Sequence, residues 1–135
     1  MGNRDWIYLG VFLDDDSRKK LVALAKTVMG DTWRIFCHHM TIAFNNNRKE
    51  ALDIYDYYQP EFGKEIDLIA THIGISEDAI AVKIDYNDKS MNKFPHITLA
   101  TPYDGKPVNS NYIHNWKPLE EPISLHGTIN CFIKK

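Results

Sequence analysis

Only two stretches of this chain carry a helical period, and that constrains its fold more than any other feature. Leu21, Leu24, Ala25 and Val28 fall at i, i+3, i+4 and i+7 behind the caps offered by the Asp run at 14–16 and Ser17, and Gly30 supplies a stop. A second stripe, Ala51, Ile54, Tyr55 and Tyr58, follows the asparagines at 45–47, with Glu50 three residues after Asn47 in the manner of a capping box and Pro60 as terminator. The remaining apolar residues group as strands: Trp6–Leu13, 33–44, a hairpin of Glu65–Ile75 with 79–86 joined through Ser76, Glu77 and Asp78, then 94–100 and 123–133. A polar segment at 101–111 with Pro102, Gly105 and Pro107 reads as a loop. Two helices cannot cover both faces of a wide parallel sheet. The expectation is therefore α+β: curved, mostly antiparallel sheet, helices on the outside, and the other sheet face free to hold a ligand.

At 135 residues without a linker or low-complexity tract, positions 1–135 read as one domain. A formal net charge of −2 gives no global field for long nucleic acid, so any nucleotide ligand should be short and held locally. Cys37 and Cys131 have neither metal spacing nor a disulfide framework and read as free thiols. No run approaches the roughly 18 apolar residues of a membrane helix. The opening residues lack a leader's apolar core, and Gly2 has no Ser or Thr at position 6 to complete an acylation signal. An intracellular, reduced, cytoplasmic monomer without a membrane partner is expected.

Two segments, HHMTIAF and PHITLAT, share one pattern: His39-Met40-Thr41-Ile42 and His96-Ile97-Thr98-Leu99. Strand side chains alternate, so each His and Thr should share one face, with Met40, Ile42 and Phe44, or Ile97 and Leu99, on the other. An imidazole and a hydroxyl then stand side by side, twice. Cleaving a phosphodiester requires one proton removed from the attacking oxygen and one delivered to the leaving oxygen, and histidine titrates close enough to neutrality for either task. Thr41 and Thr98 can donate hydrogen bonds to the non-bridging oxygens. A single His-x-Thr in a strand carries little weight, because Thr is a good strand residue; two in the same apolar frame carry much more. His126-Gly127-Thr128 also matches His-x-Thr but lacks the apolar middle residue, and is set aside. His38 adjoins His39, so the two should diverge to opposite faces and make a poor chelate. No metal site is expected.

On these residues the chain resembles the two-histidine (2H, LigT-like) phosphoesterase superfamily, whose signature is a pair of His-hydrophobic-Thr/Ser-hydrophobic motifs. The likeness extends from the opening strand IYLGVFL through both motifs, with a somewhat short spacing of 57 residues between the histidines. HHMTIAF after a Tyr-Leu-Gly strand is most similar to the cyclic phosphodiesterase domains of fungal-type tRNA ligases and small viral relatives. The resemblance implies a bilobal fold with the motifs facing each other across a central cleft. It implies His39, Thr41, His96 and Thr98 as catalytic residues, with no cofactor. The reaction implied is hydrolysis of a 2′,3′-cyclic phosphate or a short 2′–5′ or cyclic oligonucleotide. For a virus, that would mean degrading nucleotide immune signals in the host cytoplasm.

Four further residues are candidates for substrate contact. Tyr8 lies on the first strand where relatives place a group near the cleft; Tyr103 and Lys106 follow the second motif, one able to stack on a base and the other to meet a phosphate; Trp116 is positioned to cap the cleft. The main alternative is a non-catalytic nucleotide- or RNA-binding module of the same fold. A protein-binding sheet face and a zinc enzyme built on His38, His39 or His96 are the other two.

Overall fold

Residues 5–133 are described by the structure, a computed structural model; Gly2 and the other opening residues judged for a leader lie outside them. The chain order is β1 (Trp6–Leu13), α1 (Asp15–Val28), β2 (Trp33–Ile35), β3 (His39–Phe44), α2 (Lys49–Tyr58), β4 (Glu65–Ile75), β5 (Ile80–Ile84), β6 (His96–Pro102) and β7 (Trp116–Ile133), with short 3-10 turns at Gln59–Glu61 and Pro107–Tyr112. The α+β class is as expected. All seven strands belong to one sheet, ordered β2-β6-β3-β1-β7-β4-β5. Strand β5 pairs back onto β6, so six of them close into a ring with every pairing antiparallel.

Both helices form where the apolar stripes fall, although Val28, the last member of the first stripe, is 40% exposed. Asp14 caps α1 by accepting the Ser17 amide at 2.8 Å, and Ser17, itself buried, accepts the His126 amide of β7 at 2.6 Å. The helix touches β7 and β6, which flank the β1–β3 pair in the ring, and it buries Leu21 and Ala25 in one cluster with Leu9, Val11, Met40 and Leu99. Helix α2 buries Ala51, Ile54, Tyr55 and Tyr58. Its start differs from the capping box: Arg48 is the cap residue and makes no side-chain cap bond, while Asn47 sits in the left-handed region (φ 62°). The Asn45 and Asn46 side chains accept the amides two residues ahead, a pair of Asx turns that use the asparagines to turn the chain before the helix begins.

Two departures from regular strands shape the site. The single strand expected over 33–44 is kinked at Cys37, whose φ is 56°. Either side of the kink the chain still follows one edge of β6: Ile35 pairs with Ala100, the Phe36 and Cys37 amides donate to the Leu99 and Thr98 carbonyls at 2.7 and 3.0 Å, and Met40 pairs with Ile97. The second departure is a bulge. Thr41 pairs with Gly10 and Ala43 with Leu9, leaving Ile42 as the extra residue on β3. After a bulge the alternation reverses, so Phe44, expected on the helix-facing side with Met40 and Ile42, is instead 55% exposed and paired with Tyr8. Gly10 is what permits the close approach there, since a β-carbon on it would lie 2.4 Å from the Met40 carbonyl oxygen.

The C-terminal strand is longer than the stretch expected over 123–133. Strand β7 begins at Trp116 and continues through Pro118 and Pro122: Pro118 still opposes His72, while residues 119–122, Pro122 among them, have no partner in the β4 ladder, so Pro122 has no ladder amide to lose. Among the described residues no helix is long and apolar enough to cross a membrane.

Candidate active site

Strands β3 and β6 meet at one residue pair, Met40 opposite Ile97. Both side chains are fully buried on the helix-facing side. One step in either direction along an antiparallel register therefore sets His39 beside Thr98 and Thr41 beside His96, all four on the opposite face, with cross-strand Cβ atoms about 5 Å apart. The four line one cavity of about 190 Å³, together with Asn92 and Asn111 on its rim. That is room for a phosphate and part of a sugar, and too little to enclose a whole nucleotide, for which pockets of roughly 300 Å³ or more are usual.

The two imidazoles are held differently. His96 is 9% exposed and its Nδ1 lies 3.0 Å from the Phe94 carbonyl oxygen. A carbonyl accepts only, so Nδ1 carries the proton and Nε2 is the nitrogen left for a ligand. Burial lowers the His96 pKa and the Phe94 bond opposes that shift. The His39 ring makes no hydrogen bond among the described residues and is held by ring contact. Tyr8 stacks on it at 4.6 Å and 21°, and Phe12 lies 5.6 Å away. Burial under these rings, with a smaller push from His38, lowers its pKa to about 4. At neutral pH His39 is therefore a neutral imidazole, ready to accept a proton.

The hydroxyls are also unequal. Thr41 has no side-chain hydrogen bond among the described residues, while its carbonyl accepts the Asn92 amide at 2.9 Å. Thr98 donates to the Pro107 carbonyl at 3.2 Å and lies 2.8 Å from Ser110 Oγ. A hydroxyl has one proton, so Thr98 can reach a phosphate as donor only by releasing Pro107; otherwise its part is to anchor the 3-10 turn over the cavity.

Neighbouring elements hold the quartet together. The Arg18 guanidinium of α1 donates to the Phe36 carbonyl at 3.3 and 3.4 Å, which braces the kink before His39. Where β3 parts from β6, the open Ile42 carbonyl accepts the Met91 amide (2.8 Å) and the Ser90 hydroxyl (3.3 Å). Comparison with protein-family models and with curated proteins finds no match to this chain. The assignment of the site therefore rests on its chemistry.

Of the other candidates, Tyr8 does not line the cavity itself but stacks on His39, which does, with the Phe132 ring 5.2 Å from its own. Tyr103, Lys106 and Trp116 do not line the cavity. Tyr103 is 71% exposed beside Arg34. Lys106 is exposed at the start of the 3-10 turn, where its carbonyl accepts the Asn109 amide. Trp116 is tied down by a 3.1 Å bond from Nε1 to the Ile113 carbonyl and packs on Gly74, so it anchors a loop. His38 corrects the strand argument: with the kink at Cys37 it does not diverge from His39 but lines the same cavity. Asn92, Ser110 and Asn111 escape a strand-based reading because they lie in turns far along the chain. The set-aside His126 faces Glu65 and Asp67, 2.7 and 2.8 Å from its two ring nitrogens, and takes no part in the cavity. Among the described residues no three His, Cys, Asp or Glu side chains are grouped to hold a metal ion.

Proposed function

We propose that this protein is a phosphodiesterase of the two-histidine kind, acting on a 2′,3′-cyclic phosphate or a short 2′–5′ or cyclic oligonucleotide. The observation that carries the reading is the convergence of both His-x-Thr pairs on one cavity of phosphate size. The closed ring is read as two halves, β3-β1-β7 and β4-β5-β6, each bringing one motif strand to the shared seam, in keeping with a bilobal two-histidine fold.

Roles follow from how each ring is held. His39, kept neutral, takes a proton from the attacking water or hydroxyl as its oxygen bonds to phosphorus. His96 binds the phosphodiester through Nε2–H when protonated, a state that burial disfavours in the free protein and that the Phe94 carbonyl and the substrate's own negative charge favour. As the phosphorus–oxygen bond breaks, that proton goes to the leaving oxygen. When water attacks, the products are a phosphate monoester and a free hydroxyl; when a neighbouring ribose hydroxyl attacks, they are a cyclic phosphodiester and an alcohol; solvent exchange resets both rings. Thr41 donates to a non-bridging oxygen.

The test is a screen of the purified protein in EDTA against 2′,3′-cyclic nucleotides, 2′–5′ oligoadenylate and cyclic di- and trinucleotides, with products read by mass and phosphate position. His39→Ala and His96→Ala should each reduce turnover by about 10²–10⁴-fold while the circular dichroism spectrum is retained. Undiminished turnover in the double variant rejects the reading. Tight binding of these compounds without turnover would mark a nucleotide-binding module instead.

A further inference from the structure

A second cavity, of about 170 Å³, adjoins the first and shares His96, Asn92 and Asn111 with it. Its remaining wall is Met91, Lys93 and Phe94, and among the described residues no carboxylate lines it. The Phe94 ring lies 5.6 Å from the His96 ring and 5.8 Å from Trp116. Lys83, the β5 residue paired with His96, places its ammonium 5.6 Å from the Phe94 ring centre and 4.9 Å from that of Trp116. Two aromatic faces thus fix where this long side chain ends, which removes much of the entropy a lysine loses on binding.

What the other cations near the histidines are doing makes this cavity distinctive. Arg18 is engaged with the Phe36 carbonyl and Arg34 with the Gly105 carbonyl. The ammonium groups of Lys83 and Lys93 have no hydrogen bond or ion pair among the described residues. A pocket walled by Phe94 and lined by Lys93, with the Lys83 ammonium held outside the lining over the Phe94 and Trp116 rings, beside the histidine assigned to the scissile phosphate, has the chemistry of a second anion site.

We propose that Lys83, over the Phe94 ring, and Lys93, the chain neighbour of Phe94, bind a non-scissile phosphate one nucleoside away from the bond that is cleaved. The inference rests on the phosphodiesterase reading and narrows it: the preferred substrate is a nucleotide or short oligonucleotide carrying at least two phosphates, with the intervening nucleoside passing His96 and resting on Phe94. The lysines recognise and position substrate; they move no proton.

The test compares a 2′,3′-cyclic nucleotide, or a 2′–5′-linked dinucleotide, with and without a 5′-phosphate. The wild-type protein should show a KM about tenfold or more lower for the phosphorylated member, the scale of one or two charge-assisted contacts. Lys83→Gln with Lys93→Gln should abolish that difference, and the Lys→Arg pair should keep it. Absence of a preference in the wild type, or a preference that survives the Gln pair, overturns the proposal. Neither lysine is buried, so folding is not at stake. If the wild type turns over none of these compounds, the phosphodiesterase reading fails, and calorimetric titration of the same ligands into His39→Ala still judges the subsite separately: equal affinities with and without the 5′-phosphate reject it, and tighter binding of the phosphorylated member supports it.

Discussion

At the scale of single residues, what decides the chemistry is how much water each imidazole keeps. His39 is shut off from water with Tyr8 stacked on its ring, and the neighbouring His38 adds a smaller push in the same direction. Desolvation is the larger cause, which is why the pKa lies near 4. For a base that must be neutral, the acid limb of kcat/KM should then fall close to pH 4. Tyr8→Ala lets water reach the ring and should move that limb toward the ordinary histidine value of about 6.5. A pH–rate profile with an unmoved acid limb would show that Tyr8 does not set the base. Gly10 makes a structural counterpart. Ala there must displace the Met40 carbonyl next to Thr41, so Gly10→Ala should destabilise the fold by about 1–3 kcal/mol or more. Chemical denaturation measures it, and a loss under about 0.5 kcal/mol, the range of ordinary surface changes, would mean the bulge relaxes freely.

At the scale of elements, the site is assembled from two strands and the turns that grip them. The 3-10 turn Pro107–Tyr112 is pinned to β6 through Ser110 Oγ, fully buried, and Thr98. Ser110→Ala removes one hydrogen bond worth about 1 kcal/mol and leaves Thr98 its bond to Pro107. Turnover should fall several-fold, with KM rising more than kcat falls, because the turn forms one wall of the cavity. A fall in kcat alone would assign Ser110 to the chemistry and not to the wall. The same elements mark what the sequence could disclose. Strand β1, the hairpin β4–β5 and both helical stripes were legible because burial on one face enforces a period. The pairing of His39 with Thr41 and of His96 with Thr98 was legible for the same reason, since period two holds within each short run. It fails at Ile42 and Cys37, where an extra residue and a left-handed backbone reverse or break the alternation. Phe44 and His38 accordingly ended on the wrong face in a strict two-residue reading. Tyr103, Lys106 and Trp116 were out of reach for another reason: a loop's direction is set by partners distant in sequence, such as Ile113 for Trp116.

At the scale of the whole molecule, opposed histidine shifts should give stability a maximum near neutrality. On one side stand His38, His39 and His96, whose folded pKa values are depressed by burial. Between the unfolded value of about 6.5 and their folded values, the unfolded chain binds more protons than the native one. Their contribution is therefore complete above about pH 6.5 and declines as pH falls toward the folded values, to about 4 for His39. On the other side stands His126, raised to about 8 by its hydrogen bonds to Asp67 and Glu65. Its contribution is complete below about pH 6.5 and fades as pH rises through 8. His126 of β7 bridges to these two carboxylates at the start of β4, so the fading is felt at the β4–β7 pairing, the most extensive in the ring. The histidine is exposed, and salt should weaken the effect. His126→Gln should flatten the decline of melting temperature between pH 6.5 and 8.5 and leave the acid side as it was, while His39→Ala should do the reverse. Melting curves from pH 4.5 to 9 at low and high salt separate the two. An alkaline slope in His126→Gln equal to that of the wild type would show that the Glu65–His126–Asp67 bridge is not what tunes the stability of the barrel.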